Sequence, residues 1–187
     1  MIHLLASQKL LMSEISEIVQ NESKFRNRCF LVVGKPGVGK TVLAKTYCEQ
    51  QGTTYLDLSD GNWSEDFIDS GRSLDHVKAA IRRSATQSIV FVDGLTPFYV
   101  IHGLEWCRSF LRATSDLTIR RFAFLLLTVG EFPGSPHPLV ENAVKWFADK
   151  ERILRIEISL DDTKEFCARV GRVPVSGANL YELQITS

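Results

Sequence analysis

Short apolar runs alternate with stretches of helical periodicity along this chain of 187 residues. Each run is six to nine residues long, and all but the run over 53–60 are mostly apolar, which is typical of strands buried in a parallel sheet. The runs predict strands over residues 29–34, 53–60, 88–93, 122–129 and 152–160. The spacing between them predicts helices over 4–19, 41–51, 73–87, 102–116, 139–150 and 161–170. Strands that alternate with helices predict an α/β fold with helices on both faces of the sheet.

Individual residues also predict where helices begin and end. Gly52 is expected to end the helix over 41–51, because glycine adopts the left-handed backbone that closes a helix. Ser73 is expected to cap the next helix, and Asp161 or Asp162 the last one. The length suits one domain over 1–187. Within it we expect an N-terminal helix in 1–20, a core over 29–160, and a short C-terminal helix and tail over 161–187.

The equal numbers of basic and acidic residues limit the kinds of partner that we expect the chain to bind. The chain has 22 basic and 22 acidic residues, so it has no general attraction for nucleic acid, and DNA is expected as an indirect partner at most. Polar residues interrupt the apolar N-terminus, and no apolar run is long enough to cross a bilayer. The four cysteines are far apart and form no CxxC pair, which favours buried thiols. We therefore expect a cytoplasmic protein with no membrane partner.

The segment GKPGVGKT, residues 34–41, fits the phosphate-loop pattern GxxxxGK[ST] and is called the phosphate loop below. It lies between a predicted strand and a predicted helix, which is the context that the pattern requires. Its glycines would let backbone N–H groups surround phosphate oxygens, and the helix would direct its positive end at the same anion. Lys40 would bind the β- and γ-phosphates, and the Thr41 hydroxyl would bind Mg²⁺. The residues expected to bind ATP are Gly34, Lys35, Pro36, Gly37, Val38, Gly39, Lys40, Thr41 and Val42.

Asp93 ends the apolar strand SIVFVD, as expected of the second metal-binding residue of such a site. The alternative is an aspartate that caps a turn before Gly94. Many ATPases have a glutamate that activates water directly after this aspartate, but here the residue is Gly94. We therefore expect at most weak intrinsic ATP hydrolysis.

The phosphate loop, the strand that ends in Asp93, and FAFLLLTV at 122–129 together resemble the AAA+ group of P-loop ATPases. The resemblance implies a three-layer domain with a five-stranded parallel sheet in the order 5-1-4-3-2. It also implies that Thr128 is a sensor for γ-phosphate or water, although a threonine that merely completes a buried strand fits equally well. The chain departs from the group after the fifth strand, where 161–187 is too short for a full helical lid.

Further catalytic candidates are arginines that could contact the γ-phosphate and glutamates that could activate water. The resemblance implies that Arg152 reaches the nucleotide of a neighbouring subunit, with Arg120 or Arg121 as substitutes and a solvated strand-end charge as the alternative. Glu131, which follows the fourth strand, is a candidate for water activation, and Glu105 is another. Ordinary surface carboxylates remain the alternative for both glutamates.

Together these features predict an ATP- and magnesium-binding AAA+-like protein that acts as an oligomeric switch or as an ATPase subunit of a larger complex. The expected partners are further copies of the chain and a larger protein. Two alternatives stay open: a nucleotide-responsive adaptor with little or no hydrolysis, and a small nucleotide kinase or NTPase. In size and architecture the chain is also similar to the small P-loop component of bacterial BREX phage-defence systems, which would imply a role in antiviral defence.

Overall fold

The computed structural model describes residues 4–21, 28–58, 70–84, 89–121, 124–130, 140 and 153–171. Five strands are described in this part of the chain: β1 (Cys29–Gly34), β2 (Thr54–Asp57), β3 (Ile89–Asp93), β4 (Phe124–Gly130) and β5 (Ile153–Arg155). Five helices accompany them: α1 (Ala6–Gln20), α2 (Lys40–Gln51), α3 (Ser70–Ser84), α4 (Leu95–Arg121) and α5 (Leu160–Val170).

The described strands form one parallel sheet in the order β2-β3-β4-β1-β5. The α/β fold with a parallel sheet is therefore confirmed. Read from β5, the described strands follow the expected series 5-1-4-3-2. The order for the whole chain and the short lid stay predictions, as do the proposed domain limits.

Side chains of β1 alternate between two apolar clusters, one on each face of the sheet. Cys29, Leu31 and Val33 pack into the cluster that contains buried residues of α3 and α4. Phe30 and Val32 pack into the other cluster, with buried residues of α1 and α2. Every residue of β1 is buried, so the strand that leads into the phosphate loop lies in the centre of the domain. This position fixes the start of the loop.

Several predicted boundaries need correction. The helix predicted from 102 begins at Leu95, directly after Gly94, and bends at Gly103 where φ is +73°. The helix predicted from Ser73 begins at Ser70, so Ser73 lies inside it and does not cap it. The last described strand ends at Arg155 instead of reaching Leu160, which is the first residue of α5, although the Ile156 N–H still donates to the Val33 carbonyl at 2.8 Å.

The ends of α2 and α5 show which capping signals were informative. Gly52 has a φ of +62° and ends α2, as predicted. The cap of α5 is Ser159, whose side chain accepts from the Asp162 backbone N–H, so the prediction of an aspartate cap is wrong. A hydroxyl serves as well as a carboxylate at this position. Apart from Val140, the helix predicted over 139–150 lies outside the described residues, as does the tail after Gly171.

Two global expectations can be compared with the described residues. All four cysteines are buried free thiols. None of the described helices combines the length and the apolar character needed to cross a bilayer. A cytoplasmic location stays a prediction.

Candidate nucleotide-binding site

The phosphate loop begins at Gly34, the last residue of β1, which is buried against the chain that follows β5. A Cβ atom at Gly34 would lie 2.6 Å from Ile156 Cγ2 and 2.8 Å from the Ile156 backbone oxygen. The glycine is therefore needed for close packing between two backbone segments.

Two further glycines give the loop its turn. Gly37 and Gly39 have φ angles of +78° and +83°, in the left-handed region that favours glycine. Gly39 is the N-cap of α2, so the helix begins at Lys40 and its N-terminal N–H groups lie beside the loop. The positive end of a helix attracts phosphate, as the sequence predicted for this segment.

The Lys40 side chain folds back over the loop. Its Nζ donates hydrogen bonds of 2.8 Å to the Gly34 carbonyl and 2.8 Å to the Lys35 carbonyl. Burial lowers the pKa of the Lys40 ammonium from 10.5 to about 8, although the Asp93 carboxylate opposes this change. The ammonium thus lies where it can pair with an anion that the loop surrounds.

Asp93 receives hydrogen bonds at both carboxylate oxygens. Its Oδ2 accepts from the Thr41 hydroxyl at 2.6 Å and from the Tyr55 hydroxyl at 3.0 Å, and its Oδ1 accepts from the Gly94 backbone N–H at 2.9 Å. A hydroxyl and a carboxylate in contact are oxygen ligands of the kind that Mg²⁺ prefers. Thr41 and Asp93, the two residues predicted to bind metal, are thus brought together and fit a magnesium ion.

The sequence analysis missed two residues in this cluster, Tyr55 and Asp57. Tyr55 donates to Asp93, and its hydroxyl is also 3.4 Å from Asp57 Oδ2. Burial raises the pKa of the Tyr55 hydroxyl well above its ordinary value, and the Asp93 and Asp57 carboxylates raise it further, so it stays a donor at neutral pH. The strand predicted over 53–60 placed Asp57 in its interior, whereas in the structure Asp57 is the last residue of β2, at the edge where ligands bind in such folds.

A third missed residue, Gln8 of α1, holds the loop from outside. Gln8 is 3% exposed, donates from Nε2 to the Val38 carbonyl at 3.2 Å and accepts from the Leu5 backbone N–H at 2.9 Å. A Cβ atom at Gly39 would lie 2.2 Å from Gln8 Nε2. No sequence pattern marks this glutamine, because its contact with the loop joins residues 30 positions apart.

The same helix also contacts α5. Ser7 donates to the buried Asp162 carboxylate from its backbone N–H at 3.2 Å and from its hydroxyl. Burial alone would raise the pKa of Asp162, but hydrogen bonds from Ser7 and Ser159 outweigh this effect and lower the pKa below its ordinary value of 3.8. The carboxylate therefore stays ionised and connects α1 with the start of α5.

For the remaining predicted site residues the structure gives only exposure or backbone position, or does not describe them. Lys35, Pro36 and Val42 are exposed and Val38 is buried, all within or directly after the loop. The backbone of Thr128 pairs with that of Val32, two residues before the end of β4. Glu105 is exposed on α4 and pairs with Arg108. Glu131 and Arg152 lie outside the described residues, and the roles proposed for all of these residues stay predictions.

Known proteins share this combination of fold and motifs. Residues 30–99 match the family model described as ATPase family associated with various cellular activities (AAA). The matched segment runs from β1 into α4 and contains Lys40, Thr41 and Asp93.

Individual relatives match over stretches of similar length. Spastin of Ixodes scapularis is 33% identical over 63 residues, which cover 34% of this chain and 10% of that protein. The mitochondrial ATP-dependent zinc metalloprotease FTSH 3 of Arabidopsis thaliana is 38% identical over 63 residues, which cover 34% of this chain and 8% of that protein. The matched part is thus a small fraction of the length of either relative.

The fold extends the likeness to nearly the whole chain. The structure of C. elegans PCH-2 superposes with a TM-score of 0.55 at 18% identity and covers 92% of this chain and 50% of that chain. The chain is thus similar to AAA-family proteins in the sequence of this segment, and its fold is similar to that of PCH-2.

Proposed function

We propose that this chain binds ATP and Mg²⁺ and works as an ATP-dependent oligomeric switch or as an ATPase subunit of a larger complex. The observation that carries the proposal is the 2.6 Å hydrogen bond between Thr41 and Asp93, beside the Lys40 ammonium. Lys40, the loop N–H groups and the start of α2 would hold the phosphates. Thr41 and Asp93 would hold the magnesium ion, which would neutralise phosphate charge when bound.

Equilibrium binding of a fluorescent ATP analogue tests the first part. Replacing Lys40 by Ala removes a charged donor, and hydrogen bonds to charged groups contribute about 1.5–3 kcal/mol. We expect Lys40→Ala to bind about ten- to a hundredfold more weakly, and Lys9→Ala, which removes an exposed lysine of α1, to bind as the wild type does. Equal affinity of Lys40→Ala and wild type would contradict nucleotide binding at this loop.

The second part of the proposal is that ATP binding promotes self-association. Arg152 is proposed to contact the nucleotide of a neighbouring subunit, which would couple ATP binding to assembly. Light scattering with a slowly hydrolysed ATP analogue measures the mass of the particle. A chain that stays monomeric at tens of micromolar would favour the adaptor alternative, and assembly that is unchanged in Arg152→Ala would remove that arginine from the proposal.

The reaction class needs separate tests. A phosphate-release assay distinguishes an ATPase from an adaptor, and transfer of labelled phosphate to nucleoside monophosphates would identify a small kinase. The proposed role in a BREX phage-defence system rests on size and architecture. A search for stable complexes with the other proteins of such a system, with and without ATP, is its direct test.

A further inference from the structure

The carboxyl ends of β2 and β3 bring two aspartates together. Asp57 and Asp93 are register partners in the parallel pairing of these strands, and each is the last residue of its strand. Side chains of paired residues in neighbouring strands project from the same face of a sheet. Asp57 is therefore beside the proposed metal ligand Asp93, on the side of the site away from β4.

Tyr55 connects the two carboxylates. Its hydroxyl lies 3.0 Å from Asp93 Oδ2 and 3.4 Å from Asp57 Oδ2, so a single phenolic oxygen contacts both carboxylates. The Tyr55 ring is also contacted by Lys45 of α2, whose Nζ lies over it at 5.2 Å from the ring centroid. The single O–H of Tyr55 can donate to only one carboxylate at a time, and the shorter contact is with Asp93. Asp57 thus lies next to a hydroxyl whose own position is held by its neighbours.

The backbone conformation at position 94 is unsuited to a second carboxylate directly after Asp93. Gly94 has a φ of +83°, and its N–H donates to Asp93 Oδ1. A residue with a side chain would be strained in this left-handed conformation. The turn that lets Gly94 hold Asp93 therefore disfavours a glutamate directly after the metal ligand.

We infer that Asp57 supplies the second carboxylate of this site and orients the water that attacks the γ-phosphate, and that Tyr55 is its positioning residue. The inference rests on the proposed ATP binding. In the step, the water oxygen bonds to the γ-phosphorus as the bond from that phosphorus to the bridging oxygen breaks. ADP leaves with the bond electrons, and the proton of the water passes to Asp57 and then to solvent.

Three measurements on the full chain test the inference. The first is affinity for a fluorescent ATP analogue. The second is phosphate release in the presence of Mg²⁺ with protein in excess over ATP, and the third is capture of ADP with aluminium fluoride. We expect Asp57→Asn to bind the analogue within about threefold of wild type, which also shows that it folds. Its phosphate release should fall at least about a hundredfold, the usual contribution of a positioned general base. Capture of ADP with aluminium fluoride, which mimics the phosphate during transfer, should be lost.

Two further variants sharpen the result. Tyr55→Phe should slow phosphate release about tenfold at unchanged affinity, because a misplaced group loses part of its effect. Asp75→Asn removes an exposed carboxylate of α3 and should leave all three measurements unchanged.

Two outcomes would overturn the inference. One is an Asp57→Asn variant that releases phosphate and captures ADP with aluminium fluoride as the wild type does. The other is a wild type with neither property above the level of Asp93→Ala. Failure of ATP binding itself would appear separately, as equal affinity of wild type and Lys40→Ala.

Discussion

The phosphate loop and helix α1 meet at Gly39, but the residues that each of them contacts are separated from it by very different distances along the sequence. Lys40 bonds to carbonyls five and six residues away. Gln8 reaches Val38 across 30 positions, and Ser7 reaches Asp162 across 155. The loop therefore has a recognisable local pattern, whereas the contacts that α1 makes with the rest of the chain have none. We therefore expect Lys40 to determine affinity for nucleotide, and the packing of Gly34 and the α1 contacts to determine stability.

The largest effect on stability should come from a loop glycine that serves packing. In Gly34→Ala the new Cβ would meet Ile156 at 2.6 Å and a backbone oxygen that cannot easily move. Overpacking of this kind costs about 1–3 kcal/mol, and we expect the upper end in urea unfolding. Gly130→Ala is the matched control, because Gly130 is the register partner of Gly34 and its nearest atom is Thr96 Oγ1 at 3.4 Å. Similar losses in both variants would contradict the packing explanation.

A smaller loss should follow when α1 releases the loop. Gln8→Ala leaves the Val38 carbonyl and the Leu5 N–H without their partner, and an unsatisfied buried group costs about 1–3 kcal/mol. We expect a decrease of about 2 kcal/mol in the free energy of unfolding. Gln20→Ala, an exposed glutamine of the same helix, should change it by less than about 0.5 kcal/mol. A Gln8→Ala variant that keeps its stability but loses nucleotide affinity would reverse the comparison.

The smallest effect should be at Asp162 and should depend on pH. Its lowered pKa means that the folded state prefers the charged carboxylate, so its stabilisation is present above the ordinary pKa of 3.8 and is lost as the pH falls below it. At neutral pH we expect Asp162→Asn to unfold about 1 kcal/mol more easily than wild type. The difference should shrink in acid.

Urea unfolding at pH 7 and at acid pH measures this difference. Asp161→Asn is the control, since the neighbouring carboxylate is exposed and pairs with Lys164 at the surface. If the difference between wild type and Asp162→Asn grows in acid, the proposed contact is wrong.

The sequence predicted those parts of the fold and site that depend on local periodicity and spacing. It predicted β1, the loop and α2, because a strand, a glycine-rich turn and a helix form one continuous unit. It also predicted that Thr41 and Asp93 share a site, because the carboxyl ends of parallel strands face the same crevice. It missed Tyr55, Asp57 and Gln8, whose roles depend on which strands and helices become neighbours. The start of α4 was also missed, because Pro97 and the residues around it do not follow a simple helical pattern.

The position of Lys40 has a consequence for how tightly any anion can bind. Two backbone carbonyls already accept from two of its three N–H donors, so a phosphate that is to accept from more than one of them must displace a carbonyl. The contribution of Lys40 to phosphate affinity is therefore the difference in free energy between two hydrogen-bonded arrangements of the same side chain. A loop built in this way also keeps its shape between binding events, because the lysine ties the first residues of the loop to the start of the helix. Exchange of one set of acceptors for another requires little rearrangement of the backbone.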